Sequence, residues 1–203
     1  MTGQDGSYLS ELLLDKGYSV VGVYRRSSVN TQTRISHLSS NSNFSLVCGD
    51  IADSGSVGSI IRKYQPDECY NLAAQSHVGV SFEQPELTFR INAIGTLNIL
   101  EAIRHFSPST RFYQASTSEM FGDNYTEQGE HRYQNENTAL SPRSPYAVSK
   151  VAAHNLVHTY RESYGIYGSC GILFNHESER RGENFVTRQI TKYVASLKVA
   201  LAG

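Results

Sequence analysis

The sequence predicts an α/β fold: a doubly wound parallel sheet with helices on both faces. Short β-rich runs alternate along the chain with amphipathic segments of helical periodicity, and this alternation is typical of consecutive βαβ units. Polar and glycine-containing motifs stand next to these elements, most of them directly after a β-rich run, where such sheets bind ligands. The 203 residues suffice for one well-buried domain.

The elements are predicted from local composition and spacing. The predicted strands are rich in β-branched and aromatic residues and cover residues 18–24, 44–48, 68–72, 111–115 and 168–174. Leucines at helical spacing end before Gly17, a typical helix-terminating glycine, and Pro145 suits the first turn of a helix. The predicted helices lie near residues 9–16, 60–65, 87–103, 145–164 and 185–201.

Composition excludes several classes of partner. A net charge of -1, from 18 basic and 19 acidic residues, gives no basic surface for nucleic acid or an anionic membrane. Without a long apolar run or a leader-like start, we expect a cytoplasmic protein.

The three cysteines, Cys48, Cys69 and Cys170, are widely spaced in strand-like runs, which predicts buried reduced thiols. We expect no metal, because no Cys/His cluster has ligand spacing.

Two features predict a dinucleotide cofactor. Gly3 and Gly6 stand before the first helix, as in the second half of a phosphate-binding loop, although a GxxG pattern also occurs in simple turns. Arg25 and Arg26 follow about twenty residues later, where NAD-binding folds carry an acidic residue for the ribose. Arginine there suits the 2′-phosphate of NADP, unless both side chains are simply solvated. We therefore expect NADP in a Rossmann-like domain.

Four residues have the chemistry of a catalytic site. Tyr146 and Lys150 are four apart on a predicted helix, so their side chains share one face, although such a pair also arises by chance. A neighbouring ammonium favours phenolate, which makes tyrosine a usable base. Thr117 and Glu119 follow a predicted strand, where they could bind a substrate oxygen and move a proton. In isolation they would be an ordinary helix cap.

Six stretches resemble, in the same order, the extended short-chain dehydrogenase/reductase superfamily, and within it the GDP-mannose 4,6-dehydratase family. They read TGQDGSYLSELLLDKGY, YRRSS, YNLAAQSHV, FYQASTSEMFG, SPRSPYAVSK and GILFNHESERRGENFVTRQI. The triplet of Thr117, Ser118 and Glu119 is similar to this family in particular, because dTDP-glucose dehydratases carry Thr-Asp-Glu there and epimerases lack the glutamate. The resemblance implies an NADP-binding Rossmann-like domain over residues 1–203 that carries the catalytic residues.

The reaction implied by the resemblance is dehydration of GDP-mannose to GDP-4-keto-6-deoxymannose through transient hydride transfer to NADP. Tyr146 would remove the C4 hydroxyl proton as hydride leaves C4, with Thr117 bonded to that oxygen and Lys150 tuning Tyr146. Glu119 would take the C5 proton, which the C4 ketone acidifies, and assist loss of the C6 hydroxyl as water. The hydride would then return to C6.

The resemblance also implies binding residues and assembly. NADP would contact Thr2, Gly3, Gln4, Asp5, Gly6, Arg25, Arg26, Ser27, Ser28, Asp50, Ile51, Leu72, Ala73, Ala74, Gln75, Ser76, Tyr146, Lys150, His176 and Arg181. The sugar nucleotide would lie toward Asn175, Asn184 and Val186. For His77 and His154 we expect structural roles, and the complete protein would be a homo-oligomer.

Some features depart from the family pattern. Leu87 replaces a tyrosine near the cofactor, Glu179 a proline and Gln189 a lysine, and residues 123–137 make their segment longer than usual. The family's first strand, first loop glycine and C-terminal substrate domain are absent, so we expect a fragment, incomplete at both ends and inactive by itself. Two alternatives stay open: an inactive truncated remnant, and an epimerase or reductase acting on another nucleotide sugar.

Overall fold

A computed structural model of the chain describes residues 1–29 and 31–202. Its α-helices are α1 (Gln4–Asp15), α2 (Ser54–Tyr64), α3 (Val78–Glu83), α4 (Pro85–Phe89), α5 (Gly95–Phe106), α6 (Pro145–Tyr164) and α7 (Val186–Ala202). Its strands are β1 (Val20–Tyr24), β2 (Phe44–Cys48), β3 (Glu68–Asn71), β4 (Arg111–Thr117), β5 (Thr126–Gln128), β6 (His131–Tyr133) and β7 (Gly168–Leu173). Thr33–Leu38 and Ser118–Phe121 are 3₁₀ helices, and Arg90–Ile94 is a π-helical turn.

The predicted α/β class with parallel strands is confirmed. Strands β3, β4 and β7 pair in the order β3-β4-β7, and both pairs are parallel. Strands β1 and β2 form a second group. The N–H of Val20 donates to the Asn43 carbonyl at 2.8 Å and that of Gly49 to the Tyr24 carbonyl at 2.9 Å, so β1 and β2 also run parallel. All five predicted strands are therefore present.

Several details differ from the sequence-based expectations, and α3 and the 3₁₀ helix Thr33–Leu38 were not predicted at all. The helix predicted over residues 87–103 is instead α4, the π-helical turn and α5 in succession, and the turn includes a buried asparagine, Asn92. The antiparallel hairpin of β5 and β6, within the long segment 123–137, was not predicted. Cys48 is exposed, so its predicted burial was wrong: as the last residue of β2 it lies on an outward-facing position. The other two cysteines are partly buried.

The residue contacts divide the chain into two units. The first unit comprises Met1–Gly22, Ser27–Leu46 and the residues from Asn175 onward. The second comprises Val23–Arg26 and Val47–Phe174. The predicted site residues are distributed over both units.

The apolar core of the second unit is centred on α5. Leu100 and Ile103 are fully buried on this helix, which contacts both α2 and α6. Phe112 from β4 and Val157 from α6 belong to the same cluster. Because Phe112 lies two residues before Gln114 and five before Thr117, this packing holds the strand that leads into the predicted catalytic residues.

Replacing Leu100 with alanine should destabilise the second unit. The side chain is 0% exposed in the core, so Leu100→Ala should lower the free energy of unfolding by about 2–5 kcal/mol. Urea denaturation followed by circular dichroism measures this change. Leu87→Ala makes the same substitution at a leucine that is 44% exposed, and it should cost under about 1 kcal/mol. Equal losses for the two variants would contradict the assigned core.

Candidate active site

The carboxyl end of β4 presents Thr117 and Glu119. Thr117 is the buried last residue of the strand, and its Oγ1 accepts a hydrogen bond from the Glu119 N–H at 3.3 Å. It thereby caps the 3₁₀ helix Ser118–Phe121, in which Met120 and Phe121 are buried. Burial of these two apolar side chains fixes the turn and leaves Glu119 exposed. A buried hydroxyl and an accessible carboxylate therefore stand at one strand end.

Helix α6 carries the tyrosine and the lysine. Ser144 precedes the helix in an extended conformation, and its Oγ accepts a hydrogen bond from the Ala147 N–H at 3.0 Å. This cap and Pro145 fix the start of the helix, so that Tyr146 lies in its first turn and Lys150 one turn later. Both residues are buried, Tyr146 at 8% exposure. Helix α6 contacts both β4 and the 3₁₀ helix that bears Glu119.

Lys150 ties α6 to β4. Its side chain is 3% exposed, and Nζ donates a hydrogen bond to the Ala115 carbonyl at 2.9 Å. Nζ also lies 6.0 Å from the centroid of the Tyr146 ring. Burial, which disfavours the ammonium, lowers the pKa of Lys150 to about 8. The structure thus brings the helix with Tyr146 and Lys150 against the strand that ends in Thr117.

Asn92 is a site residue that the sequence analysis missed. On the π-helical turn, its Nδ2 donates to the Ser149 Oγ at 2.9 Å and to the Gln75 carbonyl at 3.1 Å. Its Oδ1 accepts from the Gln75 N–H at 3.0 Å, and the Ser149 Oγ donates to the Tyr146 carbonyl at 2.6 Å. Asn92 therefore holds the segment after β3 beside α6. A polar residue among apolar ones, between Ile91 and Ala93, was the available signal.

The segment after β3 contains the predicted cofactor residues 72–76. Ala73, Ala74 and Ser76 are exposed, whereas the Gln75 side chain turns inward and donates to the Thr88 Oγ1 at 2.9 Å. The Asn71 Oδ1 accepts from the Ala73 N–H at 3.2 Å. These bonds fix the backbone of the segment and leave three small residues accessible.

The segments after β1 and β2 supply the other predicted cofactor residues of the second unit. Arg25 and Arg26 are exposed directly after β1. The Asp50 Oδ1 accepts from the Ala52 N–H at 2.9 Å, which shapes the turn after β2. Gly95 packs closely there, because a Cβ on it would lie 2.7 Å from the Ile51 side chain. A larger residue at position 95 would displace Ile51.

In the first unit the predicted phosphate loop leads into α1. Gly3 is extended and precedes the helix, and a Cβ on Gly6 would lie 2.5 Å from the Met1 carbonyl oxygen, which explains the glycine at position 6. The Asp5 carboxylate contacts the His176 Nε2 at 2.9 Å, and Gln4 accepts a hydrogen bond from Ser178 at 2.8 Å. Predicted cofactor residues from both ends of the chain are thus joined within this unit.

The residues predicted around the sugar nucleotide lie in the first unit. Asn175, Asn184 and Val186 are exposed, and Val186 begins α7. The Arg181 guanidinium stacks over the Phe185 ring at 3.7 Å, and its Nε lies 3.4 Å from the Glu177 carboxylate without a hydrogen bond. The predicted residues Thr2, Ser27 and Ser28 also belong to this unit.

His77 and His154, for which we expected structural roles, each make a hydrogen bond within the second unit. The Nδ1 of His77 accepts from the Val80 N–H at 3.2 Å and caps α3, and His154 Nδ1 lies 3.0 Å from the Ser116 Oγ.

The described ranges contain no group of three or more His, Cys, Asp or Glu residues that could hold a metal ion. Over the same ranges, every helix is too short or too polar to cross a membrane.

The parallel strands, together with the tyrosine and lysine of α6, define a Rossmann-like protein of the short-chain dehydrogenase/reductase class. The dTDP-glucose 4,6-dehydratase DesIV from Streptomyces venezuelae, solved with NAD, has this fold with a TM-score of 0.84 at 21% identity over 96% of this chain and 60% of that one. The UDP-glucose 4-epimerase of Thermus thermophilus, also solved with NAD, gives 0.80 at 26% identity over 95% of this chain and 58% of that one.

The family model of GDP-mannose 4,6 dehydratase matches residues 1–202, and the chain belongs to that family. The GDP-mannose 4,6-dehydratase of Vibrio cholerae serotype O1 is 52% identical over 208 residues, covering 99% of this chain and 54% of the relative. The GDP-mannose 4,6 dehydratase 1 of Arabidopsis thaliana is 49% identical, covering 99% of this chain and 57% of the relative. The chain thus spans about half the length of the curated relatives it matches.

Burial of Lys150 should make stability depend on pH. Its pKa is about 8 when folded, against 10.5 for a solvated lysine of the unfolded chain, so the folded state loses the proton first. The cost of burying the ammonium is therefore fully present below pH 8 and is relieved as the pH rises toward 10.5. Relative to Lys150→Met, the unmutated chain should gain roughly 3 kcal/mol of unfolding free energy across that window.

Urea denaturation at several pH values checks this difference. Lys63→Met, at an exposed lysine of the same unit, serves as the control and should give a difference that stays constant with pH. A pH-independent difference for Lys150→Met as well would contradict the assigned burial of the charge.

Proposed function

We propose that this chain is the cofactor-binding and catalytic part of an NADP-dependent lyase that dehydrates GDP-mannose to GDP-4-keto-6-deoxymannose. The observation that carries the proposal is the buried Lys150, which holds the Tyr146 helix against the strand that ends in Thr117, two residues before Glu119. Membership of the family supports the choice of substrate.

The residues present fit a dinucleotide. In the first unit, Gly3 has open space beside it directly before α1, where backbone N–H groups and the helix dipole favour a pyrophosphate. Two exposed arginines, Arg25 and Arg26, follow β1, and a guanidinium suits the 2′-phosphate that distinguishes NADP from NAD. In the second unit, Ala73, Ala74 and Ser76 are also exposed and would offer a further contact surface. When bound, the cofactor would supply a reversible hydride acceptor.

Tyr146 is the proposed base for the C4 hydroxyl of the sugar. The ammonium of Lys150, 6.0 Å from its ring centroid, stabilises a phenolate electrostatically. Because the pKa of Lys150 is about 8, this positive charge is present at neutral pH. Thr117, at the adjoining strand end, would donate a hydrogen bond to the same sugar oxygen. These roles prepare the sugar for oxidation at C4.

Glu119 is the proposed acid and base for loss of water. Once C4 is a ketone, the proton on C5 becomes acidic, and the Glu119 carboxylate would remove it. The C6 hydroxyl then leaves as water after taking a proton from Glu119, and a C5–C6 double bond forms in the sugar. Glu119 is exposed, so its carboxylate is accessible to a substrate. A C4 epimerase needs no group for this elimination, so Glu119 favours the dehydratase over that alternative.

The two arginines should determine cofactor choice. We expect the full-length gene product to bind NADPH more tightly than NADH, as measured by fluorescence titration. The Arg25→Ala, Arg26→Ala double variant should lose most of this preference, because each phosphate contact contributes about 1.5–3 kcal/mol. Arg132→Ala, at an exposed arginine of the hairpin, should preserve it. Equal dissociation constants for the two cofactors in the unmutated protein would falsify the NADP assignment.

Removing the Glu119 carboxylate should separate oxidation from water loss. In the full-length gene product, Glu119→Gln should still oxidise C4, so deuterium from the C4 position of GDP-mannose should be found on NADPH without 6-deoxy product. Glu130→Gln, at an exposed hairpin carboxylate, is the matched control and should dehydrate normally.

Tyr146→Phe should behave differently from Glu119→Gln. It should slow the hydride transfer itself by about 10²–10⁴-fold, because the general base is lost. The assignment of Glu119 is wrong if its glutamine variant forms the 6-deoxy product at the unmutated rate.

A further inference from the structure

Gln114 is a buried amide on the strand that leads to the proposed catalytic residues. It is 1% exposed on β4, on the same side of the strand as Phe112 of the apolar core. An amide at such a position costs free energy unless it is hydrogen-bonded. Its hydrogen bonds therefore indicate why the strand carries glutamine here rather than an apolar residue.

The amide group of Gln114 is bonded at both ends. Its Oε1 accepts from the Asn71 Nδ2 at 2.8 Å and from the Thr96 Oγ1 at 3.2 Å. Its Nε2 donates to the Ala115 carbonyl oxygen at 3.1 Å, the same oxygen that accepts the Lys150 Nζ at 2.9 Å. A carbonyl oxygen has two lone pairs, so the glutamine and the lysine together fill both.

The bonds continue to the segment after β3. Asn71 is the residue of β3 paired with Gln114, and its Oδ1 accepts from the Ala73 N–H at 3.2 Å. An unbroken series of hydrogen bonds therefore runs from the backbone of the proposed cofactor segment, residues 72–76, through Asn71 and Gln114 to the oxygen that holds Lys150. All of these residues belong to the second unit.

We infer that Gln114 is a positioning residue for Lys150: it fixes the Ala115 carbonyl that holds the ammonium and links this carbonyl, through Asn71, to the cofactor segment. The inference rests on the proposed function, because that function gives Lys150 its role in catalysis. The amide suits this task because it is neutral. It occupies the second lone pair of the carbonyl without placing a competing charge beside the ammonium.

The first test observes Lys150 without any reaction. In the ¹⁵N-lysine-labelled full-length gene product at pH 6, the Lys150 ammonium should give a slowly exchanging NMR signal, identified by its loss in Lys150→Met. Gln114→Met removes the shared bond at similar volume, and it should shift this signal and speed its hydrogen exchange. Ser116→Ala is the control, because Ser116 is a buried residue of the same strand and its Oγ is hydrogen-bonded to His154 of α6. It should leave the signal unchanged.

An unchanged Lys150 signal in Gln114→Met would overturn the inference. If Gln114→Met fails to fold, Gln114→Glu decides, because its carboxylate can still accept from Asn71 and Thr96 but places a negative charge beside the ammonium. It should shift the Lys150 signal, and an unchanged signal there would equally overturn the inference.

Kinetics in the same proteins give a second readout. For GDP-mannose dehydration, Gln114→Met should lower kcat by about tenfold or more, with KM within about twofold, since misplacing a catalytic group affects the transition state. Ser116→Ala should leave both constants within about twofold. A Gln114→Met kcat equal to that of the unmutated enzyme would refute the positioning role. If the unmutated protein has no dehydratase activity, the proposed function fails, and the NMR result still decides whether Gln114 positions Lys150.

Discussion

The hydrogen bond between the buried Lys150 ammonium and the Ala115 carbonyl is the interaction on which the candidate site depends. A buried charge is costly unless it is bonded, so this bond favours the register of α6 on β4 that places Nζ on the carbonyl oxygen. That register sets the first turn of α6, with Tyr146, beside the strand end that carries Thr117 and Glu119. The lowered pKa of Lys150 follows from the same burial.

The surrounding polar residues make this arrangement rigid. Asn92 joins the backbone at Gln75 to Ser149 on α6, and Asn71 with Gln114 joins the backbone at Ala73 to the Ala115 carbonyl. The segment after β3 is therefore bonded both to α6 and to β4. A ligand that contacts this segment would act on a site whose parts are already held in place. This preorganisation suits the proposed reaction, in which proton and hydride transfers would follow one another at one sugar ring.

The sequence was informative where chemistry is set by local spacing. The four-residue spacing of Tyr146 and Lys150 predicted that they share one helix, and the β-rich run before Thr117 and Glu119 predicted that they follow a strand; both placements are observed. Their catalytic roles stay a prediction. The partners of these residues were not predicted, because Gln114 and Asn92 bond to residues far away in the chain. The hairpin within residues 123–137 was also missed, since its three-residue strands are too short to show a periodic pattern. Cys48 shows that a β-rich run does not establish which of its residues are buried.

The transfer of hydrogen within the sugar tests the proposed dehydration most directly. GDP-mannose deuterated at C4 is incubated with the full-length gene product and a catalytic amount of NADP, and the product is analysed by NMR and mass spectrometry. Dehydration through a returned hydride predicts a 6-deoxy-4-keto sugar with the deuterium at C6 of the same molecule. Recovery of the deuterium at C4 of an epimerised sugar, or its accumulation on released NADPH, would contradict the account.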